Sequence, residues 1–158
     1  MAQSQLTNTE KISENTPIVQ LLTATMDDLK LNSQSKVELL PILPVLGSDR
    51  SAGVDLISPY EYILPPRGTG LLDTLLEMQI PLHHYGRIAD KSSMALRGII
   101  IGAGVVEPDY TGSIKVVLHN LRDVPVVVER GEKIAQLIFE KCSLPKEMAW
   151  VDDMGEII

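Results

Sequence analysis

Aromatic residues are scarce in this chain: one Phe, one Trp and four Tyr make up 4% of its 158 residues. With an apolar fraction of 44%, the core must be built mostly from aliphatic side chains. Cysteine is nearly absent too. The single Cys142 excludes an intramolecular disulfide and a multi-cysteine zinc site. Within KIAQLIFEKC it reads as an inert, buried thiol. There is also no basic excess. A net charge of −7 leaves nothing to neutralise phosphates along a groove, which excludes a general nucleic-acid-binding surface. It does not exclude a small anion, which needs only a few local donors. No apolar run approaches membrane-spanning length, and the first residues lack the basic-plus-apolar character of a signal. The expectation is a soluble intracellular protein of the cytoplasm or nucleus. Both familiar phosphate loops are missing: there is no GxxxxGK[ST], and Gly102-Ala103-Gly104 lacks the third glycine and following helix of a dinucleotide fold. The adjacent His83-His84 pair has no third ligand at a suitable spacing, and in a strand the two rings point to opposite faces.

The length suits one hydrophobic core and is too short for two. Residues 1–36 read as a polar N-terminal segment. Within it, Asn15 or Thr16 can cap a helix with Pro17 at its first position, where a missing N–H costs nothing. Ile18, Leu21, Leu22, Met26 and Leu29 then repeat at spacings near three and four, predicting a helix over about residues 16–30. Such a helix either lies against the main domain or serves subunit or partner contact. Residues 31–36 read as a linker.

From residue 37 to 158 the helical period is gone. Val37–Val45 carries Pro41 and Pro44 and suits an edge strand. Short β-type runs follow at Gly53–Ser58, Tyr60–Leu64, Leu71–Ile80, Tyr85–Ala89, Ile99–Ile101, Ser113–His119, Val124–Glu129 and Ile134–Lys141. Gly and Pro turns separate them, and only Ser93–Arg97 suits a further short helix. Many short strands at close turn spacing mark an all-β sandwich or barrel.

The chemistry concentrates between Gly86 and Asn120. Lys91-Ser92-Ser93 precedes a helix start, where backbone N–H groups, hydroxyls and an ammonium can converge on phosphate oxygens. Read alone, it is more simply a capped turn. Glu107 and Asp109 are either solvated turn carboxylates or a base, and Tyr110 is either a half-buried strand aromatic or a ring for a ligand. Gln136 lies in an apolar strand, where its amide must find partners. Phosphate donors, a carboxylate and an aromatic ring so close together suit binding and hydrolysis of a small phosphorylated molecule.

The order of these pieces carries more than each alone. Ser51-Ala52-Gly53-Val54-Asp55-Leu56, Gly86-Arg87-Ile88-Ala89-Asp90-Lys91-Ser92-Ser93, Gly102-Ala103-Gly104-Val105-Val106-Glu107-Pro108-Asp109-Tyr110-Thr111-Gly112 and Gly131-Glu132-Lys133-Ile134-Ala135-Gln136-Leu137 resemble the first four of five ordered motifs of the trimeric dUTPase family. The match runs from about Val37 to Cys142. The KSSMA form looks more like retroviral and other viral members, which extends the expected location to an infected host cell.

The resemblance implies a distorted β-barrel or jelly-roll homotrimer whose three active sites are each assembled from neighbouring subunits. It implies attack of water on the α-phosphate of dUTP, giving dUMP and pyrophosphate with Mg²⁺ on the triphosphate. Ser92 and Ser93 would meet the phosphate chain, and Lys91 would stand where the family usually has arginine. The hairpin backbone around Gly104 would read the uracil edge, and Tyr110 would sit under the deoxyribose. Gln136 would reach a phosphate, Asp55 would lie near the metal–water shell, and Glu107 would be the base.

Three departures from the family pattern accompany it. Glu107 replaces an aspartate and is one methylene longer, and a misplacement of about an ångström can cost on the order of 100-fold. Asp90 adds a negative charge beside the phosphate site. The fifth, glycine-rich motif has no counterpart in this sequence. Two other functions follow from these departures: a trimer that binds nucleotide or protein without turnover, and a dCTP deaminase, the sister branch on this fold. The deaminase places a glutamate in the strand matching Ile114–Asn120, where this chain has Val117.

Overall fold

A computed structural model of the chain describes residues 18–21, 24–25, 38–146 and 148–158. In chain order the elements are β1 (Ile18–Leu21), β2 (Ala24–Thr25), β3 (Glu38–Leu39), β4 (Val45–Leu46), β5 (Val54–Ile57), β6 (Tyr62–Leu64), β7 (Thr69–Asp73), β8 (Leu76–Gln79), β9 (His84–Ala89), α1 (Ser92–Leu96), β10 (Ile99–Gly102), β11 (Val105–Val106), β12 (Lys115–Asn120), β13 (Val126–Val128) and β14 (Lys133–Lys141). The largest sheet has five strands in the order β11-β9-β14-β5-β4, and a second has three in the order β10-β12-β7. β1 pairs with β8, β6 with β13, and β2 with β3. Every pairing is antiparallel. The all-β reading holds. Among the described residues the strands form separate sheets over a shared core, not one closed ladder.

The core follows from strand alternation. Along β12, Val116, Leu118 and Asn120 point inward, and along β7 Gly70 and Leu72 do. Val116, Leu118 and Leu72 share one buried cluster with Leu56 of β5 and Ile134, Ala135 and Leu137 of β14. Tyr60 is the one aromatic among the described buried core residues, as the composition requires. β4, just beyond the two prolines, forms an edge of the five-stranded sheet. Buried Asn120 donates to the carbonyls of Pro65 and Val124, so its amide is satisfied inside the apolar layer.

Two expectations change. The run Leu71–Ile80 breaks after Asp73, because Leu75 takes a left-handed backbone (φ 60°) with its N–H bonded to Asp73 Oδ1 at 2.8 Å. Thr74 Oγ1 donates to the Ile114 carbonyl at 2.7 Å, and the chain leaves β7 for β8. The helix expected over residues 16–30 is not found in its described part. Ile18–Leu21 is a strand in register with Leu76–Gln79, and Ala24–Thr25 pairs with Glu38–Leu39. Spacings of three and four in so short an apolar run do not separate helix from strand, and β-branched Ile18 and Val19 suit a strand once β8 offers an edge. The rest of that range lies outside the described residues.

Candidate functional site

The order of the five-stranded sheet brings the four motifs side by side. β5 carries Asp55, β14 carries Gln136, β9 runs into Lys91, and β11 runs into Glu107. Gln136 lies opposite Asp55 on one flank and Ala89 on the other. The strands can approach here because of glycine: a Cβ on Gly53 would lie 2.2 Å from the Leu137 carbonyl oxygen. Gln136 Nε2 donates to the Gly53 carbonyl at 3.4 Å.

Asp55 is 4% exposed. Its Oδ1 accepts from Lys91 Nζ at 2.6 Å, and its Oδ2 lies 3.0 Å from Lys133 Nζ. Burial pushes this carboxyl up, but the two ammonium groups outweigh burial and hold it below the usual carboxylate range. Lys91 is also the N-cap of α1, with an extended backbone. Its carbonyl accepts from the N–H groups of Met94 and Ala95, and buried Met94 pins the turn to the core. Ser92 and Ser93 stand exposed at the start of this turn, directly after Lys91 in the chain. Asp90 has a structural role. Its Oδ1 accepts from the Ile101 N–H at 2.7 Å, tying the approach to α1 onto β10. That bond engages one oxygen of the charge expected to repel phosphate.

A second cluster forms around the turn from β10 to β11. Ile88 N–H donates to the Gly104 carbonyl at 2.6 Å, and a Cβ on Gly104 would lie 2.6 Å from the Ile88 oxygen. Only glycine permits this approach. The hairpin walls a pocket of about 250 Å³ lined by Ile88, Ala103, Glu107, Tyr110, Lys115 and Val117, among others. Glu107 is exposed, and its carbonyl accepts from the Tyr110 N–H at 3.1 Å. The Tyr110 phenol donates to the Ser113 carbonyl at 2.8 Å, and Ser113 Oγ donates to Asp73 Oδ2 at 2.9 Å.

The residues singled out from the sequence therefore fall into two groups. Asp55, Lys91 and Gln136 lie together on one sheet, with Ser92 and Ser93 next to Lys91. Gly104, Glu107 and Tyr110 surround the hairpin, and the residues lining its pocket include neither Ser92 nor Gln136. Sequence reasoning missed Lys133, Asp73 and Lys115. Lys133 stands in the fourth motif, but a β-bulge between Lys133 and Ala135 sets the face it occupies, and no alternation pattern shows that. Cys142 is half-buried, not buried, because it follows the end of β14 beside His83, Lys141 and Lys146. His83 sits at a turn with φ 59°, and His84 Nδ1 lies 2.8 Å from the Leu82 carbonyl. No group of three or more His, Cys, Asp or Glu suited to a metal occurs among the described residues, and none of their helices is long and apolar enough to cross a membrane.

A family model described as dUTPase matches residues 41–156. The deoxyuridine 5'-triphosphate nucleotidohydrolase of Eremothecium gossypii is 40% identical over 116 residues, covering 73% of this chain and 76% of that protein. The mouse (Mus musculus) protein of the same name is 40% identical over 113 residues, covering 70% of each. The fowl adenovirus A protein of that name is 41% identical over 114 residues, 72% of this chain, and the match spans 64% of that relative's length. Among solved structures, EIAV dUTPase superposes with a TM-score of 0.62 at 26% identity, over 85% of this chain and 98% of that one. A mutant dUTPase of S. aureus phage phi11, described for its coordination of a structural Mg(II) ion, gives 0.70 at 19% identity over 88% and 98%, a likeness of fold alone. With both clusters built from the motifs that the family model spans, the chain belongs to the dUTPase family.

Proposed function

We propose that this chain hydrolyses dUTP to dUMP and pyrophosphate, with Glu107 as the base. The carrying observation is the order of the five-stranded sheet, which sets Asp55, Gln136 and the Lys91–Ser93 turn side by side and continues at its edge into the hairpin bearing Glu107 and Tyr110. Lys91, Ser92, Ser93 and Gln136 are donors for phosphate oxygens. Glu107 takes a proton from water as its oxygen attacks the α-phosphorus, and the bond to the bridging oxygen breaks with pyrophosphate as leaving group. Tyr110, fixed through Ser113, lies under the deoxyribose and leaves no room for a 2′-hydroxyl, while the backbone at Gly104 meets the uracil edge.

The hairpin pocket is lined by neither Ser92 nor Gln136 of the same chain, which favours a homotrimer in which one copy's phosphate cluster faces another's hairpin. Mg²⁺ bound to the triphosphate would offset part of its negative charge. The chain's own donors fit phosphate oxygens rather than a dication, because Asp55 is already engaged by two ammonium groups.

Binding without turnover is a second reading, favoured by Glu107 at a position where the family has aspartate. Deamination of dCTP is disfavoured by Val117, which puts an aliphatic side chain at the pocket where that chemistry needs a carboxylate. A pyrophosphate-release assay with dUTP, UTP and dCTP separates these readings. Pyrophosphate from dUTP alone supports hydrolysis. Binding of dUTP without product supports the second reading, and ammonia from dCTP overturns both.

A further inference from the structure

We propose that Lys133 is a positioning residue that frees Lys91 to exchange Asp55 for the phosphates of a bound nucleotide. This rests on the dUTP reading above. Asp55 is buried with a single negative charge, yet two cations share it, one on each oxygen. Their situations differ. Lys91 is the less exposed, with 21% of its side chain accessible against 46% for Lys133, and it is directly joined to Ser92 at the head of α1. An incoming triphosphate attracts the Lys91 ammonium. If Lys91 were the sole partner of Asp55, its departure would strand a buried carboxylate, which is strongly unfavourable. Lys133 on the other oxygen removes that obstacle.

The backbone shows that this placement is built. Gln136 faces Asp55 directly, so in a regular ladder Lys133, three residues away, would project from the opposite side of the sheet. The register shift between Lys133 and Ala135 inserts one residue and pairs Lys133 with Ile57, two positions from Asp55 and on the same face. The bulge thus aims the Lys133 ammonium at Asp55 Oδ2. Glu132, next to Lys133 in the chain, is bonded to Arg97, which leaves Lys133 to Asp55.

The test measures binding of a non-hydrolysable dUTP analogue, α,β-imido-dUTP, and steady-state kinetics with dUTP on the full chain. Lys133→Ala is expected to weaken analogue binding about tenfold and to raise KM while kcat stays within about twofold. Lys133→Arg restores both. In an Asp55→Asn background, where Lys91 is no longer retained, the further change Lys133→Ala has no effect on binding. Lys133→Gln, which keeps most of the stem and a donor, serves as the second variant if the alanine form does not fold. Unchanged analogue affinity in these variants overturns the proposal. So does a tenfold loss that persists in the Asp55→Asn background, which would make Lys133 a direct phosphate contact. If the unaltered chain binds no dUTP analogue, the dUTP reading itself fails, a result distinct from either.

Discussion

Tyr110 is tied to Ser113 across the turn that closes the hairpin pocket: the phenol donates to the Ser113 carbonyl at 2.8 Å. The ring is 41% exposed, so this bond, not burial, fixes where it points. Under the proposed reading, this ring takes the space that a 2′-hydroxyl would need. Tyr110→Ala is expected to raise kcat/KM for UTP relative to dUTP by about tenfold or more. Competition assays with both nucleotides check it, and unchanged selectivity removes Tyr110 from the sugar pocket.

Asp73 supports that turn from behind. It accepts from Ser113 Oγ and from the N–H of Leu75, which it holds in a left-handed conformation. Asp73→Ala leaves both donors unpaired and is expected to destabilise the fold by about 2 kcal/mol, measured by urea unfolding. A variant as stable as the unaltered chain would show that the strained Leu75 turn does not depend on this carboxylate.

Glu107 is exposed at the pocket rim, and its side chain bonds to none of the described residues, so substituting it disturbs none of the bonds that hold the described fold. Glu107→Gln is expected to abolish hydrolysis while the assembly, followed by light scattering, is unchanged. Surviving hydrolysis would assign the base elsewhere.

Asp55 sets an acid limit on stability. The two lysines hold its carboxyl below the usual range in the folded chain. Its contribution is therefore fully present above the unfolded value of about 4 and is lost as pH falls through the lower folded value. Unfolding free energies between roughly pH 2 and pH 6 should show a steep acid limb that Asp55→Asn flattens. Equal slopes in the two proteins would contradict the clamp.

Much of the fold is legible in the sequence because its signals are local. Gly and Pro turns bracket nearly every strand, so β5, β9, β12 and β14 fall within a residue or two of the runs that alternation indicates. The motif residues Lys91, Glu107, Tyr110 and Gln136 can be picked out one by one. What is not legible depends on geometry across the sheet. The bulge that turns Lys133 toward Asp55, the Asx-type bond that ends β7 at Asp73, and the β8 edge that draws Ile18–Leu21 into a strand are all tertiary. Local periodicity in residues 16–30 points to a helix because it carries no information about that edge.

A site that joins the Lys91–Ser92–Gln136 cluster of one copy to the Glu107–Tyr110 hairpin of another can be rebuilt from two damaged proteins. Two inactive variants, Ser92→Ala/Gln136→Ala and Glu107→Gln, are mixed, unfolded and refolded together, and pyrophosphate release from dUTP is assayed. Activity is expected to return in the mixture, because some mixed assemblies contain sites with every group intact. A mixture as inactive as its components, with co-assembly shown by a tag on one variant, would contradict a site shared between copies.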